Sequence, residues 1–233
     1  MKDHKPKHIA IVPDGNRRWA QKKGISRQKG YAIGISKIGD VLKWCKRHDI
    51  RMLTMWGFST DNFKRNPGEI RALFDLFRQN LQKGIKEATK ESDDEREKIR
   101  VRFFGRLHLL PADVQHMIRR AEEFNKKTAR YQLNLLLSYG GRDEIIDAVN
   151  EIIRQGKKKV DERMISEHLY THDLPDPDLI IRTSGEQRLS GLMPWQSCYS
   201  EFYFCKKLWP DFSEKDFEAA LKEYARRMRR FGK

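Results

Sequence analysis

His8-Ile9-Ala10-Ile11-Val12-Pro13-Asp14-Gly15-Asn16-Arg17-Arg18-Trp19-Ala20 is an apolar run that stops abruptly at an acid and a glycine. The aliphatic residues read as a buried strand, and the polar turn after them hands the chain over to a helix. A carboxylate at the tip of such a strand, with free backbone N–H groups and two arginines in the next turn, can hold a metal ion beside a bound anion. The stretch reads as a magnesium and diphosphate site. Asp14 has a rival reading as a helix cap or turn residue. A cap, however, has no need of Arg17, Arg18 and Arg27 in the same short segment.

Working outward, similar apolar runs rich in Ile, Val, Leu, Phe and Tyr recur at 51–58, 99–104, 131–137, 178–182 and 201–204. Between them the apolar period lengthens to that of amphipathic helices at 30–47, 69–85, 111–127 and 143–154. Ser213 and Asp216 cap a last helix running to about Met228. Strands alternating with helices predict an α/β fold with a mainly parallel central sheet of about six strands surrounded by helices. No Pro/Gly/Ser-rich linker divides the chain, so one domain over residues 1–233 is expected. Ligands of open parallel sheets bind beyond the carboxyl ends of the strands. Asp14, the segment 59–65 and the segment 182–190 all fall there.

The formal charge of +15, from 48 basic and 33 acidic side chains, draws polyanions: nucleic acid, an anionic membrane surface, or phosphorylated small molecules. No nucleic-acid motif is present, the basic residues gather at strand ends rather than along one helix face, and no nucleic-acid partner is expected. There is no G-x-x-x-x-G-K-[ST] loop and no G-x-G-x-x-G after a strand, which disfavours a nucleotide-using enzyme. Cys45, Cys198 and Cys205 lack the spacing of a zinc site or disulfide framework, in keeping with a reducing cytoplasm. Residues 1–7 have no apolar signal core and no segment approaches the length of a membrane span, so the expected location is cytoplasmic, at most peripheral on a membrane. The charge-dense segment 83–100 reads as a solvated helix end and loop.

The second polar segment, Ser59-Thr60-Asp61-Asn62-Phe63-Lys64-Arg65, offers an amide and a guanidinium to an anion, or is simply a polar loop before a helix. The third, Arg182-Thr183-Ser184-Gly185-Glu186-Gln187-Arg188-Leu189-Ser190, sets two arginines and three hydroxyls around a glycine. Planar guanidinium forks with hydroxyl donors suit phosphate oxygens better than lysine point charges do. Further on, Glu201 is the single acid of an aromatic stretch and has two readings, an arginine's partner or a second metal carboxylate.

Taken together, Asp14-Gly15-Asn16-x-Arg18-Trp19-Ala20, Ser59-x-x-Asn62-x-x-Arg65, Tyr139-Gly140-Gly141-Arg142, Arg182-Thr183-Ser184-Gly185-Glu186-x-Arg188-x-Ser190 and Trp195-Gln196-x-x-Tyr199-x-Glu201 resemble the cis-prenyltransferases, the undecaprenyl diphosphate synthase family. The resemblance runs in order from about residue 8 to residue 232. It implies Mg²⁺-dependent condensation of an allylic prenyl diphosphate with isopentenyl diphosphate, giving a new cis double bond without a covalent enzyme intermediate. By position, Asp14 would hold Mg²⁺ and act with Asn62 in catalysis. Gly15, Asn16, Arg18, Trp19, Tyr31 and Ser59 would lie along the allylic substrate, and Arg27 and Arg65 would bind its diphosphate oxygens. Arg182, Arg188 and Ser190 would cradle isopentenyl diphosphate, with Glu201 as a second metal carboxylate, either in its own chain or from the neighbouring subunit's side of the site. Phe58, Leu73, Phe77, Leu135 and Leu137 are candidates to line an apolar tunnel or, equally, to be ordinary core.

The sequence departs from the family pattern where Tyr31 replaces the usual His, Gln187 a frequent His, and Pro194 an aliphatic residue. Leu136, Leu137, Ile33 and Ile35 add bulk near the expected tunnel and lean toward a short or medium product, or toward a non-standard acceptor. The tail Arg229-Arg230-Phe231-Gly232 resembles the family's Arg-x-Gly end and implies a homodimer, with a heteromer as the alternative. Retention of Asp14 and the basic cradle points to a catalytic subunit rather than an inactive partner.

Overall fold

The computed structural model describes residues 5–88, 99–123 and 129–228. Six strands, β1 (His8–Val12), β2 (Met52–Ser59), β3 (Ile99–Phe104), β4 (Tyr131–Tyr139), β5 (Leu179–Arg182) and β6 (Glu201–Phe204), form one sheet in the order β3-β4-β2-β1-β5-β6. Every pairing is parallel. The helices are α1 (Asn16–Lys22), α2 (Arg27–Arg47), α3 (Pro67–Ala88), α4 (Ala112–Glu123), α5 (Gly141–Arg154), α6 (Glu162–His168) and α7 (Glu214–Met228). The part of the expected fourth helix past residue 123, the middle of the charged segment 83–100 and the tail from Arg229 lie outside the described residues.

Local chemistry sets the helix starts. The Ser26 hydroxyl accepts the Lys29 amide at 3.3 Å and opens α2, the Asp161 carboxylate accepts the Met164 amide at 2.8 Å and opens α6, and Pro67 is the first residue of α3. Strand side chains alternate between the two faces of the sheet. On one face Ile9, Ile11, Leu53, Met55 and Ile181 pack against Val41, Trp44, Trp209 and Phe217, so α2 and α7 cover it. Farther along that face Phe58, Phe103 and Leu137 meet Leu73 and Phe74 of α3 and Val114 and Ile118 of α4. The opposite face buries Ala10, Val12, Ile180, Leu136 and Tyr139 with Leu192 and Met193. Among the described residues no helix is long and apolar enough to cross a membrane, and the three cysteines are free thiols.

Candidate active site

Because all six strands run the same way, the turns after β1, β2 and β5 emerge at one rim. Gly15 makes the first turn possible: its φ is 110°, and a Cβ there would sit 2.8 Å from the Leu208 side chain. The carboxylate of Asp14 then faces Arg182 at the tip of β5, with Oδ2 2.9 Å from Nη2, while Arg18 reaches Oδ1 at 3.4 Å. Burial alone would raise the Asp14 pKa. The hydrogen bond from Arg182, the charge of Arg182 and that of Arg18 outweigh it, and the carboxyl is held below the ordinary carboxylate range. Arg182, whose side chain is 5% exposed, also donates through Nη1 to Ser190 Oγ at 2.7 Å and to the Arg188 carbonyl at 2.5 Å.

Beside this pair opens a cavity of about 650 Å³. Asp14, Asn16, Asn62, Arg65, Arg182 and Ser190 stand at its polar end together with Ser59 and Tyr31. Below them the wall is mainly apolar: Ile35 and Ile38 from α2, Leu73, Phe77 and Leu81 from α3, and Leu133, Leu135 and Leu137 from β4, with Asn80 of α3 also on it. A second, open cleft shares Asp14, Asn16, Tyr31 and Arg65 with the cavity and adds Gly15, Arg17, Arg18 and Arg27. The expected site residues of three separate loops therefore meet where a cationic cleft runs into an apolar cavity. Two buried polar atoms here have no protein partner, Asn16 Oδ1 and Arg182 Nε. Buried polar groups are rarely left unpaired; Asn16 Oδ1 is packed against Gly34 of α2, and Arg182 Nε is the spare donor beside the cavity.

Several expected positions land elsewhere. Glu201 begins β6, level across the sheet with Ile9, and is therefore five residues, roughly 16 Å of strand, short of Asp14. Its Oε2 is 2.8 Å from Arg227 Nη1 of α7, so within one chain it is an arginine's partner and not a co-ligand of Asp14. Trp19 turns its indole N–H to Asp211 Oδ1 at 2.8 Å and lies off both hollows. Arg188 is paired with Glu186 at 2.5 Å, and Glu186 also meets Arg18 at 3.2 Å. The hydroxyl of Tyr31 is engaged by protein: it donates to Glu69 at 2.7 Å and accepts from Arg65 at 3.0 Å. Of the tunnel residues, Phe58, Leu73, Phe77, Leu135, Leu137 and Ile35 line the cavity. Leu136 is buried on the opposite face and Ile33 is exposed on the surface, so neither shortens it.

Two acids gain a place in the site only in the folded chain. Glu69, in the first turn of α3, reads there as a helix-start acid, yet it collects Arg17, Arg27, Arg65 and Tyr31. Glu186 stands inside the quoted third motif and bridges Arg18 to Arg188.

The family model described as "Putative undecaprenyl diphosphate synthase" matches residues 12–232. Among curated relatives, the tritrans,polycis-undecaprenyl-diphosphate synthase (geranylgeranyl-diphosphate specific) of Methanocaldococcus jannaschii is 44% identical over 240 residues, covering 100% of this chain and 84% of that one. The isoprenyl transferase of Thermotoga maritima is 45% identical over 231 residues, 97% of each chain. Among solved structures, lavandulyl diphosphate synthase from Lavandula x intermedia, in complex with dimethylallyl diphosphate, superposes with a TM-score of 0.88 at 33% identity, covering 96% of this chain and 97% of that one. Fold and sequence thus define the class, a prenyltransferase of the cis-polyprenyl diphosphate synthase type. Within it, the chain belongs to the undecaprenyl diphosphate synthase family, the cis-prenyltransferases.

Proposed function

We propose that this chain, as one domain, condenses an allylic prenyl diphosphate with isopentenyl diphosphate in the presence of Mg²⁺ to extend a Z-prenyl diphosphate. The observation that carries the reading is the junction of a guanidinium-lined cleft with a deep apolar cavity at Asp14, Asn16, Tyr31 and Arg65. A prenyl diphosphate has the same division, a strongly anionic head on a purely apolar tail. A nucleotide or a sugar phosphate would bring polar groups into a wall of Ile35, Leu73, Phe77 and Leu135 that offers them no partner.

Asp14 fits a magnesium ligand: it is ionised, 29% exposed, and opens on the cleft. Mg²⁺ keeps several waters and is usually held by one or two carboxylates together with substrate phosphates, so a single side chain suffices. When bound, the ion supplies positive charge to the diphosphate that departs from the allylic carbon. The chain's own groups do the rest. Arg27 and Arg65 bind the allylic diphosphate and stabilise the charge that collects on it as the carbon–oxygen bond ionises. Arg182 and Ser190, held together by a 2.7 Å hydrogen bond, orient isopentenyl diphosphate, with Arg188, paired with Glu186, as an outer cation. Asn62, whose Oδ1 accepts the Ser59 amide at 3.2 Å, is fixed at the cavity mouth beside the reacting centre. The apolar wall keeps water from the allylic cation and receives the growing chain.

The cavity continues down the sheet from Phe58 and Leu137 to Leu133 and Ile99, and along α3 as far as Ile85. From Leu73 to Ile85 that is about 18 Å of helix. This depth favours a polyprenyl product of medium length over a single addition. A homodimer belongs to the same reading: β6 is an edge strand and Tyr199 beside it is 91% exposed. The test is incubation of the purified chain with Mg²⁺, labelled isopentenyl diphosphate and allylic primers of several lengths, followed by product sizing. Several successive additions, abolished by chelation, are expected. No metal-dependent incorporation with any primer overturns the proposal, and arrest after one addition overturns the product length.

A further inference from the structure

Glu69 is the least expected group of the site, a carboxylate set among the arginines that are meant for an anion. Its side chain is 9% exposed. Oε1 accepts the Tyr31 hydroxyl at 2.7 Å and Arg65 Nη1 at 3.3 Å, and lies 3.9 Å from Arg17 Nε. Oε2 accepts Arg27 Nη1 at 3.0 Å. Burial alone would raise the Glu69 pKa; the Tyr31 hydroxyl and the three arginines outweigh it and hold the carboxyl ionised. The Tyr31 phenol is pushed up, by burial first and then by its bond to Glu69, and stays neutral.

The placement of these groups argues against competition with the ligand. Arg17, Arg27, Arg65 and Tyr31 line the cleft that holds Asp14, whereas Glu69 is absent from that lining and opens on a small neighbouring hollow, with Arg27 and Tyr31 standing between the two. The carboxylate thus stands behind the cationic wall. Arg27 and Arg65 each give it one nitrogen, Nη1, and a guanidinium carries five N–H donors in a rigid fork. The three arginines come from different elements: Arg17 from α1, Arg27 from the first turn of α2, and Arg65 from the turn before α3. Without an anion among them, like charges on three independent segments repel and splay. The Tyr31 hydroxyl closes the arrangement, because it donates to Glu69 and accepts from Arg65 at once.

We propose that Glu69 and Tyr31 are positioning residues which gather Arg17, Arg27 and Arg65 into one preformed receptor for the allylic diphosphate. The inference rests on the reaction proposed above and adds two residues that act through the arginines rather than on the substrate. Preorganisation of this kind lowers the cost of ordering long side chains when the ligand arrives.

The test compares Tyr31→Phe, Glu69→Gln and the double variant with the parent chain. Each single variant is expected to raise the allylic KM roughly tenfold while leaving the isopentenyl diphosphate KM within about twofold. The double variant is expected to fall short of the product of the two effects, since both work through Arg65. An allylic KM that is unchanged or lowered overturns the proposal, because a carboxylate that merely competed with the diphosphate gives that sign. Equal increases in both KM values also overturn it, since they mark general damage. Should Glu69→Gln fail to fold, Tyr31→Phe carries the test alone. Calorimetric titration with inorganic diphosphate separates this inference from the reaction. Weaker binding to both variants supports the receptor even if the parent transfers no prenyl group, and equal or tighter binding refutes it.

Discussion

Replacing Asp14 with Asn removes a charge while keeping the shape of the side chain, and its two consequences have different sizes. For stability, the group left behind is Arg182, whose side chain is 5% exposed. Breaking a buried ion pair by deleting one partner costs ~3–5 kcal/mol when nothing replaces it. Here Asp14 is itself 29% exposed, and Arg182 keeps the Ser190 hydroxyl and the Arg188 carbonyl as acceptors. The expected loss is therefore reduced to roughly 1–2 kcal/mol, or a fall in melting temperature of about 2–8 °C for a chain of this size. For catalysis, losing one preorganised stabiliser of developing charge costs ~10²–10³ in kcat. The assay is steady-state incorporation of labelled isopentenyl diphosphate at saturating Mg²⁺, with thermal unfolding followed by circular dichroism on the same preparations. A folded variant whose kcat stays within about threefold of the parent refutes the role given to Asp14.

Three further outcomes follow from single contacts. A Cβ at Gly34 would lie 2.1 Å from Asn16 Oδ1 and 3.1 Å from the buried Trp209 ring, so Gly34→Ala displaces the Asn16 amide at the mouth of the cavity; activity should fall by at least tenfold with about 1–2 kcal/mol of stability lost, and a stability loss with activity unchanged would make Gly34 a packing residue only. Arg188→Ala, which releases Glu186, should chiefly raise the KM for isopentenyl diphosphate, and an unchanged KM counts against its place in that cradle. Asp147 is held below the ordinary carboxylate range first by two hydrogen bonds from Arg106, each 2.8 Å, and then by the Tyr170 hydroxyl. A depressed carboxyl gives stability that is present above the unfolded value of about 4 and lost as the pH falls through the folded value. Melting temperatures taken from pH 7 down to pH 3 should accordingly drop less steeply for Asp147→Asn than for the parent, and parallel curves would remove Asp147 as a source of acid lability.

What the sequence disclosed, and what it hid, follows from how each signal arises. Short apolar runs that are buried on both faces leave little ambiguity, and the strands begin and end within two residues of the expected positions because a parallel sheet covered by helices demands such runs. The helix Glu162–His168 has no signature in the sequence, since it is charged and short and shows no apolar period. Loops at the carboxyl ends of parallel strands must converge, which is why Asp14, Asn62, Arg65, Arg182 and Ser190 could be grouped before their distances were known. Glu201, as the first residue of its strand, stands at the opposite end of the sheet and within one chain lies away from Asp14. Leu136 and Leu137 cannot both face one cavity, because neighbouring strand residues point to opposite sides; parity alone would have removed Leu136 from the tunnel. Glu69 was hidden for a different reason. An acid at a helix start has a sufficient local explanation, and only the packing of three helices reveals the arginines around it.

The Asp14–Arg182 pair makes a last demand on the ligands. Each of the two charges satisfies the other at 2.9 Å, in a place where Arg182 has almost no access to water. A diphosphate arriving alone would pair with Arg182 and set its own negative charge against Asp14. A divalent cation arriving alone would pair with Asp14 and leave a buried guanidinium facing a like charge. If both arrive, one ion pair is exchanged for two, Arg182 with phosphate and Asp14 with the metal, and every charge keeps an opposite neighbour. Binding of Mg²⁺ and of diphosphate should therefore be positively coupled by about 1–3 kcal/mol beyond their association in free solution. Asp14→Asn should erase most of that coupling and tighten the metal-free binding of inorganic diphosphate, because the repelling carboxylate is gone. Calorimetric titrations with and without Mg²⁺ on both proteins measure the four constants required. Independent binding in the parent chain, or coupling that survives in Asp14→Asn, would mean that the metal is held elsewhere.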